Sequence, residues 1–385
     1  MDSIGRIIFV NATLDDNVHE MVDSSLIVAF AQKLPVDVFF LKKRSVIVKG
    51  IIDKAFSLNN VRFQPLSNIK RSGAVKDLIA ALIEFYILVF KGNKSSLFVF
   101  SYANMFSRYL INFGSKLTGK KVLICAHSEL ESIVTHKLKG AGYWEKLMGL
   151  FYQLNLARKL RIVVLGDSIQ IELQKHVPAR VNDKVISLIH PYFHFEAPKR
   201  KQLSSDIIHI GVVGVVSMSV HRGYDNLMSF TSKIGTYGNV KIHIISRIDK
   251  ELQRELPQSV IIENPTGRYL PKDEYEQLIR QMDYLYYPYP KDAFKLTASG
   301  AIFESVANQR PPLMYSNQFF LYLTKEYGNF GLFVDQLSDD MFLNMISDNN
   351  NYNKMCDMLA GFATQVNPIY LSDVLYNKIS DSYAH

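Results

Sequence analysis

A short stretch of the chain combines small residues and a carboxylate at a spacing that could hold an anion and a diol. The cluster Thr297-Ala298-Ser299-Gly300 opens a helical pattern, and Glu304 lies about one turn into it. Free amide N–H groups and the positive dipole end at the start of a helix bind anions such as a diphosphate. A carboxylate one turn further on can accept hydrogen bonds from a ribose diol. The same spacing also fits a plain strand–loop–helix–strand unit with Glu304 in solvent, so spacing alone leaves both interpretations open.

A second candidate lies much earlier in the chain. His127 follows directly after the apolar run 121–126, and Glu129 and Glu131 come next. A neutral imidazole can hydrogen-bond a substrate hydroxyl, and a nearby carboxylate can take a proton from one. The alternative is that His127 caps the next helix or fills a polar gap, with both glutamates in solvent.

Alternating strands and helices must position these residues. Apolar runs indicate strands, and helical periodicity between them indicates a doubly wound sheet, whose ligands bind past the carboxyl ends of the strands. The polar loop 11–20 follows the first strand and is therefore expected to line a cleft, although it lacks a Gly-rich phosphate fingerprint. The strands predicted in the first half cover 6–10, 36–41, 96–101, 121–126, 161–166 and 185–190.

A polar and basic segment, 197–205, is the predicted linker between two domains, because composition and charge change there. A new series of strand–helix units follows it. The strands predicted in the second half cover 207–214, 241–246, 260–263, 284–288 and 313–315. A final amphipathic pattern covers 368–379.

The order of these pieces resembles the GT-B glycosyltransferases, especially the large retaining family four group (glycosyl transferases group 1) of bacterial polysaccharide synthesis. The resemblance implies an α/β fold of two Rossmann-like doubly wound domains facing each other across a cleft. By this resemblance, residues 1–200 bind the acceptor and 201–365 bind the nucleotide sugar. Residues 366–385 then form a helix that crosses back to the first domain.

The resemblance also implies site residues. Arg222-Gly223 is similar to the basic–glycine pair that neutralises a pyrophosphate, and Lys295 is a further cation near the donor. The donor-binding set is then Arg222, Gly223, Lys295, Ser299, Gly300 and Glu304. His127 and Glu129 are the catalytic candidates.

Two positions depart from the family pattern. An arginine is expected directly after the strand-ending Gly214, and Val215 stands there. A second glutamate is expected eight residues before Glu304, and Leu296 stands there, with Asp292 the nearest carboxylate upstream. Retention or inversion at the anomeric carbon therefore stays open.

Charge is uneven along the chain. Residues 1–200 hold 28 Lys and Arg against 16 Asp and Glu, whereas residues 201–385 hold 16 against 20. A basic first half suits an anionic membrane surface, nucleic acid or a phosphate-bearing substrate. The basic clusters are short and separated by apolar elements, so we expect no nucleic-acid partner. A lipid-linked diphosphate acceptor would fit, with the protein held peripherally on the inner face of the plasma membrane.

The remaining bulk features indicate a cytoplasmic protein. Cys125 and Cys356 lie far apart without metal-ligand spacing and are expected to be reduced, buried thiols. The N-terminus enters a strand without a signal-peptide pattern. The apolar run 78–90 is too short to span a bilayer and contains Glu84, so a buried helix is predicted.

The function that these features favour is transfer of a sugar from a UDP- or GDP-linked donor to a saccharide or lipid-linked acceptor in surface polysaccharide synthesis. The sequence contains no Asp-x-Asp pair, the motif that would indicate a metal bridging to the diphosphate, so no bound metal is expected. No cofactor is expected beyond the donor substrate. The alternatives are a nucleotide-sugar epimerase of the same shape, a non-catalytic GT-B-like protein, or a binding protein that uses its basic surface.

Overall fold

The structure is a computed structural model, and it describes residues 4–15, 19–135, 142–193, 200–203, 206–216, 223–267 and 270–383. Strands and helices alternate along most of the chain. The elements up to residue 187 are β1 (Arg6–Asn11), α1 (Glu20–Ala31), β2 (Val36–Phe40), α2 (Lys42–Ala55), β3 (Val61–Phe63), α3 (Gly73–Phe90), β4 (Ser96–Phe100), α4 (Met105–Thr118), β5 (Lys121–Cys125), α5 (Ser132–Thr135), α6 (Tyr143–Phe151), β6 (Leu160–Val164), α7 (Asp167–Gln174), α8 (Ala179–Asn182) and β7 (Val185–Ser187).

The elements after residue 207 follow the same alternation. They are β8 (Ile208–Val212), β9 (Val215–Val216), α9 (Tyr224–Ile234), β10 (Val240–Ile244), β11 (Arg247–Ile248), α10 (Lys250–Glu255), β12 (Val260–Ile262), α11 (Lys272–Gln281), β13 (Tyr284–Tyr287), α12 (Ile302–Asn308), β14 (Pro312–Met314), α13 (Gln318–Tyr327), β15 (Leu332–Phe333), α14 (Asp339–Ser347), α15 (Asn349–Val366) and α16 (Pro368–Ser382).

The chain divides into two compact units. The first unit comprises Met1–Phe195, Leu296–Ala298 and Gln365–His385, and the second comprises Glu196–Lys295 and Ser299–Thr364. The terminal helix α16 therefore belongs to the first unit, where Leu375 and Ile379 join the core and Lys33 pairs with Asp373 at 2.6 Å.

The first unit contains a sheet of seven parallel strands in the order β3-β2-β1-β4-β5-β6-β7. The order reverses between β1 and β4, which are hydrogen-bonded neighbours. Loops that leave these two strands on opposite sides open a crevice at their carboxyl ends, where open α/β sheets bind ligands.

Both faces of this sheet are covered, because successive side chains of a strand point to opposite faces. On one face, Ile8 and Phe98 pack with Leu88 of α3 and Ile111 of α4. On the other face, residues such as Ile7 and Phe9 pack with α1, α2 and α16. Apolar strands of this kind have to be buried on both sides, and this fixes the layer order helix–sheet–helix.

The second unit contains six parallel strands in the order β12-β10-β8-β13-β14-β15. Its order reverses between β8 and β13. A small parallel pair, β9 with β11, lies beyond the ends of β8 and β10. Tyr284 and Tyr286 of β13 are fully buried in the core of this unit. The prediction of an α/β chain with two doubly wound sheets is confirmed.

Three local expectations were wrong. Residues 42–44 are three basic residues directly after the predicted strand 36–41, a pattern typical of a turn, but they form the first turn of α2, because buried Arg44 donates to buried Asp23 at 2.9 and 2.5 Å. Asp167 follows the predicted strand 161–166 and is of a residue type that commonly caps a helix, but it does not cap α7, since Gly166 is the N-cap and the Asp167 carboxylate accepts from the Ser187 hydroxyl. The apolar helix α3 is buried on only one face, although Glu84 on that face is fully buried.

No helix in the described ranges combines the length and the apolar composition needed to cross a bilayer. Cys125 and Cys356 are both buried and unpaired, as predicted.

Candidate functional site

The crevice of the second unit lies where β8 and β13 end. Gly214 follows β8 with φ of 89°, and a side chain there would collide with the Tyr289 hydroxyl. Gly223 precedes α9 with φ of 74°, and a side chain there would collide with the carbonyl of Pro288. Left-handed backbone and close approach both require glycine. The predicted site residue Gly223 is thus packed against the carboxyl end of β13.

The loop from β13 to α12 carries the other predicted donor residues. Lys295 and Gly300 are exposed, Ser299 is buried, and Glu304 is half-buried in the first turn of α12. The hydroxyl of Tyr287 holds the start of this helix, because it donates to the Ala301 carbonyl at 3.1 Å and lies 2.9 Å from the Ser305 hydroxyl. A buried tyrosine of β13 therefore sets where the loop ends and α12 begins.

The helix α12 has seven residues and begins at Ile302. A helix this short has a small dipole, so its free amides would matter more to an anion than its macrodipole does. The donor-site assignment of Ser299, Gly300 and Glu304 stays a prediction, and so does that of Lys295. Arg222 lies outside the described residues.

The crevice of the first unit is lined by polar groups from the ends of β1 and β4. Asn11 donates to the Ser101 hydroxyl at 3.2 Å and accepts from the amide of Leu14 at 3.0 Å. Asn104 caps α4 and donates to the Thr13 hydroxyl at 3.1 Å. These bonds hold the loop after β1 in place beside β4. Thr13 and Leu14 of the loop 11–20 therefore lie beside the carboxyl end of β4, and the cleft-lining role of the loop stays a prediction.

His127 lies at the end of the adjacent strand β5 and is buried. Its Nε2 atom is 2.7 Å from the Ser101 carbonyl, which can only accept, so Nε2 carries a proton. In the neutral ring this leaves Nδ1 with a lone pair for a substrate hydroxyl. The ring of His19 stacks on His127 with centroids 4.2 Å apart, and Tyr102 lies 6.2 Å away.

Glu129 is committed to a buried network. One carboxylate oxygen, Oε1, accepts from the Arg108 guanidinium and, at 2.8 Å, from the backbone amide of His127. Arg108 also donates to the Tyr152 hydroxyl at 2.6 Å and to the Ala103 carbonyl at 2.9 Å. Burial alone would raise the pKa of Glu129, but Arg108 and His127 outweigh it and hold that pKa below its ordinary value. The network therefore fixes the backbone from which His127 projects.

Two more histidines, His19 and His190, lie near His127, and the sequence analysis predicted a site role for neither. Burial, and then the neighbouring His127, lower the pKa of His19 to about 4. Burial likewise lowers the pKa of His190, after β7, to about 3, with smaller contributions from His127 and His19. Both rings are neutral at pH 7, and Nδ1–H of His190 donates to the Pro191 carbonyl at 3.2 Å.

Some sequence signals pointed to these additional groups. His19 lies in the loop predicted to line the cleft, and His190 ends a predicted strand. Arg108 shares the buried face of α4 with Ile111 and Asn112, and a charge on such a face indicates a buried partner. That partner, Glu129, is 21 residues away, and only the tertiary structure identifies it.

Among the residues described, no group of three or more His, Cys, Asp or Glu side chains is arranged to hold a metal ion.

No family model matches the chain, and no curated protein matches it in sequence. HepE of Anabaena, in a crystal structure with UDP and glucose, superposes with a TM-score of 0.63 at 11% identity over 98% of this chain and 99% of HepE. Sucrose-phosphate synthase of Thermosynechococcus elongatus superposes with a TM-score of 0.63 at 12% identity over 99% and 98% of the two chains.

WaaG, a glycosyltransferase involved in lipopolysaccharide biosynthesis, superposes with a TM-score of 0.59 at 11% identity over 97% of this chain and 99% of WaaG. The chain has the GT-B fold. Identities of 11 to 12% establish the fold alone, so the chemistry has to be argued from this chain's own residues.

The two departures from the GT-B pattern of family four have structural explanations. Leu296 is fully buried in the core of the first unit, and its amide donates to the Glu131 carboxylate at 3.1 Å. The Thr297 hydroxyl donates to the same oxygen at 3.2 Å. Position 296 therefore anchors a loop through apolar packing, and an acid there would need a partner. Val215 belongs to strand β9, where it pairs with Arg247.

Proposed function

We propose that the chain is a glycosyltransferase that moves a sugar from a nucleotide diphosphate sugar, linked to UDP or GDP, to a saccharide or lipid-linked acceptor in surface polysaccharide synthesis. The observation that carries the proposal is the GT-B fold together with His127, whose Nδ1 atom has no hydrogen-bond partner among the described residues. HepE, which has the same fold, was crystallised with UDP and glucose.

The donor is assigned to the second unit. Arg222 and Lys295 supply positive charge to the diphosphate, while Ser299 and Gly300 supply amide groups and Glu304 receives the ribose hydroxyls. Gly223 permits the close backbone approach that a phosphate needs. Support comes from the topological switch between β8 and β13, the place where this class of sheet binds ligands.

The acceptor is assigned to the first unit. His127 Nδ1 accepts a hydrogen bond from a substrate hydroxyl, and His19, whose ring stacks on His127, is a neutral neighbour that can add a polar contact. Glu129 acts as a positioning residue through the His127 backbone, because its paired, low-pKa carboxylate is a poor proton acceptor. This refines the expectation that Glu129 takes the acceptor proton.

Catalysis is then largely electrostatic. The bond from the anomeric carbon to the diphosphate oxygen breaks, the acceptor oxygen bonds to that carbon and gives its proton to Nδ1 of His127, and the nucleotide diphosphate leaves as an anion. Cations and amides placed before the reaction stabilise that anion at no further reorganisation cost. We expect transfer to proceed without an added divalent cation, so activity should survive EDTA.

We place the protein in the cytoplasm and on anionic lipid at the inner face of the plasma membrane. Two unpaired thiols suit a reducing compartment. The excess of Lys and Arg in residues 1–200 would be attracted to anionic headgroups.

A non-catalytic GT-B protein is the second candidate, because the buried Leu296 removes one acid of the family pattern. Purified protein should be assayed for hydrolysis of a panel of UDP- and GDP-sugars, and for thermal stabilisation by UDP, GDP and a DNA duplex. Stabilisation by one nucleotide diphosphate together with release of it from one donor supports the transferase. Stabilisation without turnover favours the non-catalytic form, and stabilisation by DNA alone would overturn both.

A further inference from the structure

The outer face of α3 is unusually apolar for a surface. In the described part of the chain twenty large apolar side chains are exposed, and five lie on α3, two on α4 and three on α6. The five on α3 recur at helical spacing along about 22 Å of one stripe. They are Val75, Leu78, Leu82, Tyr86 and Phe90, with exposed fractions between 44% and 68%.

The neighbouring helices extend this stripe into one surface. Phe113 and Leu117 are exposed on α4, and the Phe113 ring stacks on Phe85 of α3 at 6.1 Å. Trp144 of α6 is half-exposed and packs edge-on against Phe106 of α4 at 5.5 Å. Together the ten side chains expose on the order of 1,000 Å², more than a monomeric protein normally leaves to water. We call this surface the α3–α4–α6 face.

Cations border the α3–α4–α6 face, and few acids do. Lys70 and Arg71 are exposed just before α3, and Lys91 and Lys94 are exposed just after it. Lys116 of α4 and Lys146 of α6 are exposed within or beside the face. On the same three helices, two acidic side chains reach solvent: Asp77, which is half-buried, and Glu145, which is exposed. Glu145 also accepts from the Gly142 amide at 2.7 Å.

We propose that the α3–α4–α6 face docks on an anionic lipid bilayer, with α3 lying in the plane of the membrane. Aliphatic and aromatic side chains enter the boundary between headgroups and acyl chains, and the flanking lysines and arginines contact anionic headgroups. The proposal rests on the peripheral attachment proposed above, and it does not require the transfer reaction.

Charge favours a bilayer over a second copy of the chain as the occupant. A twofold dimer through this face would place the same patch against itself, so the cations of one copy would meet those of the other. An anionic bilayer instead offers opposite charge around an apolar interior. Tyr143 and Trp144 at the border are residue types that sit at the level of the headgroups.

The chain has a single tryptophan, and it lies on this face, so its fluorescence reports docking without a label. The full-length protein would be mixed with vesicles of phosphatidylcholine alone or with phosphatidylglycerol added. We expect Trp144 emission to shift to shorter wavelength and to be quenched by brominated lipid only in the anionic vesicles. Unchanged emission at every anionic fraction, with no co-sedimentation, would overturn the proposal.

The matched variants change only exposed residues. Leu82→Ser, Tyr86→Ser and Phe90→Ser combined should lower vesicle partitioning at least tenfold while circular dichroism stays unchanged. The control replaces residues of similar exposure on α16, which covers the opposite face of the sheet, and it should bind like the wild type: Ile369→Ser, Tyr370→Ser and Val374→Ser.

Sedimentation velocity without lipid tests whether a second copy of the chain, rather than a bilayer, covers the α3–α4–α6 face. A wild-type dimer that becomes monomeric in the α3 variant, with vesicle binding unaffected, would overturn the proposal in favour of a second copy. Donor hydrolysis measured in the same preparations keeps the two proposals apart. Vesicle binding without hydrolysis of any donor would reject the transferase alone.

Discussion

His127 has one ring nitrogen bonded to a backbone carbonyl and one left for a ligand, which is the arrangement that a neutral imidazole needs to receive a hydroxyl. The Ser101 carbonyl sets the tautomer, and the stacked ring of His19 limits rotation. The lowered pKa values of His19 and His190 keep these two nearby rings uncharged at pH 7, so neither adds positive charge beside His127.

Replacing His127 by alanine should lower kcat about 100-fold, because a positioned hydrogen-bonding or proton-transfer group contributes at least that much. The measurement is the initial rate of donor turnover with an acceptor at saturation. His176→Ala, two residues after α7 of the same unit, is the matched control and should retain full activity. A rate within twofold of wild type for the His127 variant would remove it from the site.

Glu129→Gln should lower the free energy of unfolding by about 3 to 5 kcal/mol, because the buried Arg108 would lose its counter-charge. Urea denaturation at pH 7 measures the loss. Because the pKa of Glu129 is held low in the fold, its stabilising contribution is present at neutral pH and is lost as pH falls through that lowered value. The variant should therefore show a flatter loss of stability in acid, and equal acid slopes would contradict the assignment.

Among the elements, α3 has an exposed face and a buried face with different roles. Its exposed face carries the apolar stripe, and its buried face carries Glu84, whose carboxylate accepts from the Ala12 amide at 3.0 Å. Glu84 thereby ties the helix to the loop that follows β1. Burial raises the pKa of this carboxyl from 4.5 to about 7, against smaller opposing hydrogen bonds.

This raised pKa predicts that the protein loses stability as the pH rises from about 4.5 to about 7. The unfolded chain loses the Glu84 proton near pH 4.5, whereas the fold keeps it to about pH 7. Stability from this group is therefore full below the lower value and is lost as pH rises between the two. Glu84→Gln should shrink the difference in unfolding free energy between pH 5 and pH 8 by on the order of 3 kcal/mol. An unchanged difference would show that Glu84 is ionised in the fold.

Most strands were predictable because buried parallel strands consist of apolar runs, whereas the short strands β3, β9, β11 and β15 and the order of strands within each sheet were not predicted. Helix α2 was not, because its first turn, Lys42 to Arg44, looks like a solvated turn until Asp23 of α1 is known to pair with Arg44. The burial of Leu296 in the first unit was equally hidden, since its partner Glu131 is 165 residues away. A local sequence pattern shows the periodicity of a helix or strand. It does not show which distant side chain a polar group will pair with in the fold.

At the scale of the molecule, each sheet reverses its strand order once, and candidate residues lie at the carboxyl ends of the reversing strands. Ser101 and Asn11 mark that place in the first unit, and Gly214 and Tyr289 mark it in the second. The fold is shared with HepE at 11% identity because apolar periodicity can persist while individual residues change. Site chemistry has no such tolerance, which is why Leu296 and Val215 matter.

We expect the second unit to bind a nucleotide diphosphate, with the Glu304 carboxylate accepting from the ribose hydroxyls. Isothermal titration of UDP and of GDP into the wild type and into Glu304→Ala tests it directly, with Glu326→Ala on α13 as a control carboxylate. We predict that one nucleotide binds the wild type and the control equally, and that the Glu304 variant binds it at least tenfold more weakly with an unchanged melting temperature. Equal affinity in all three proteins, or no binding of either nucleotide to the wild type, would contradict the account.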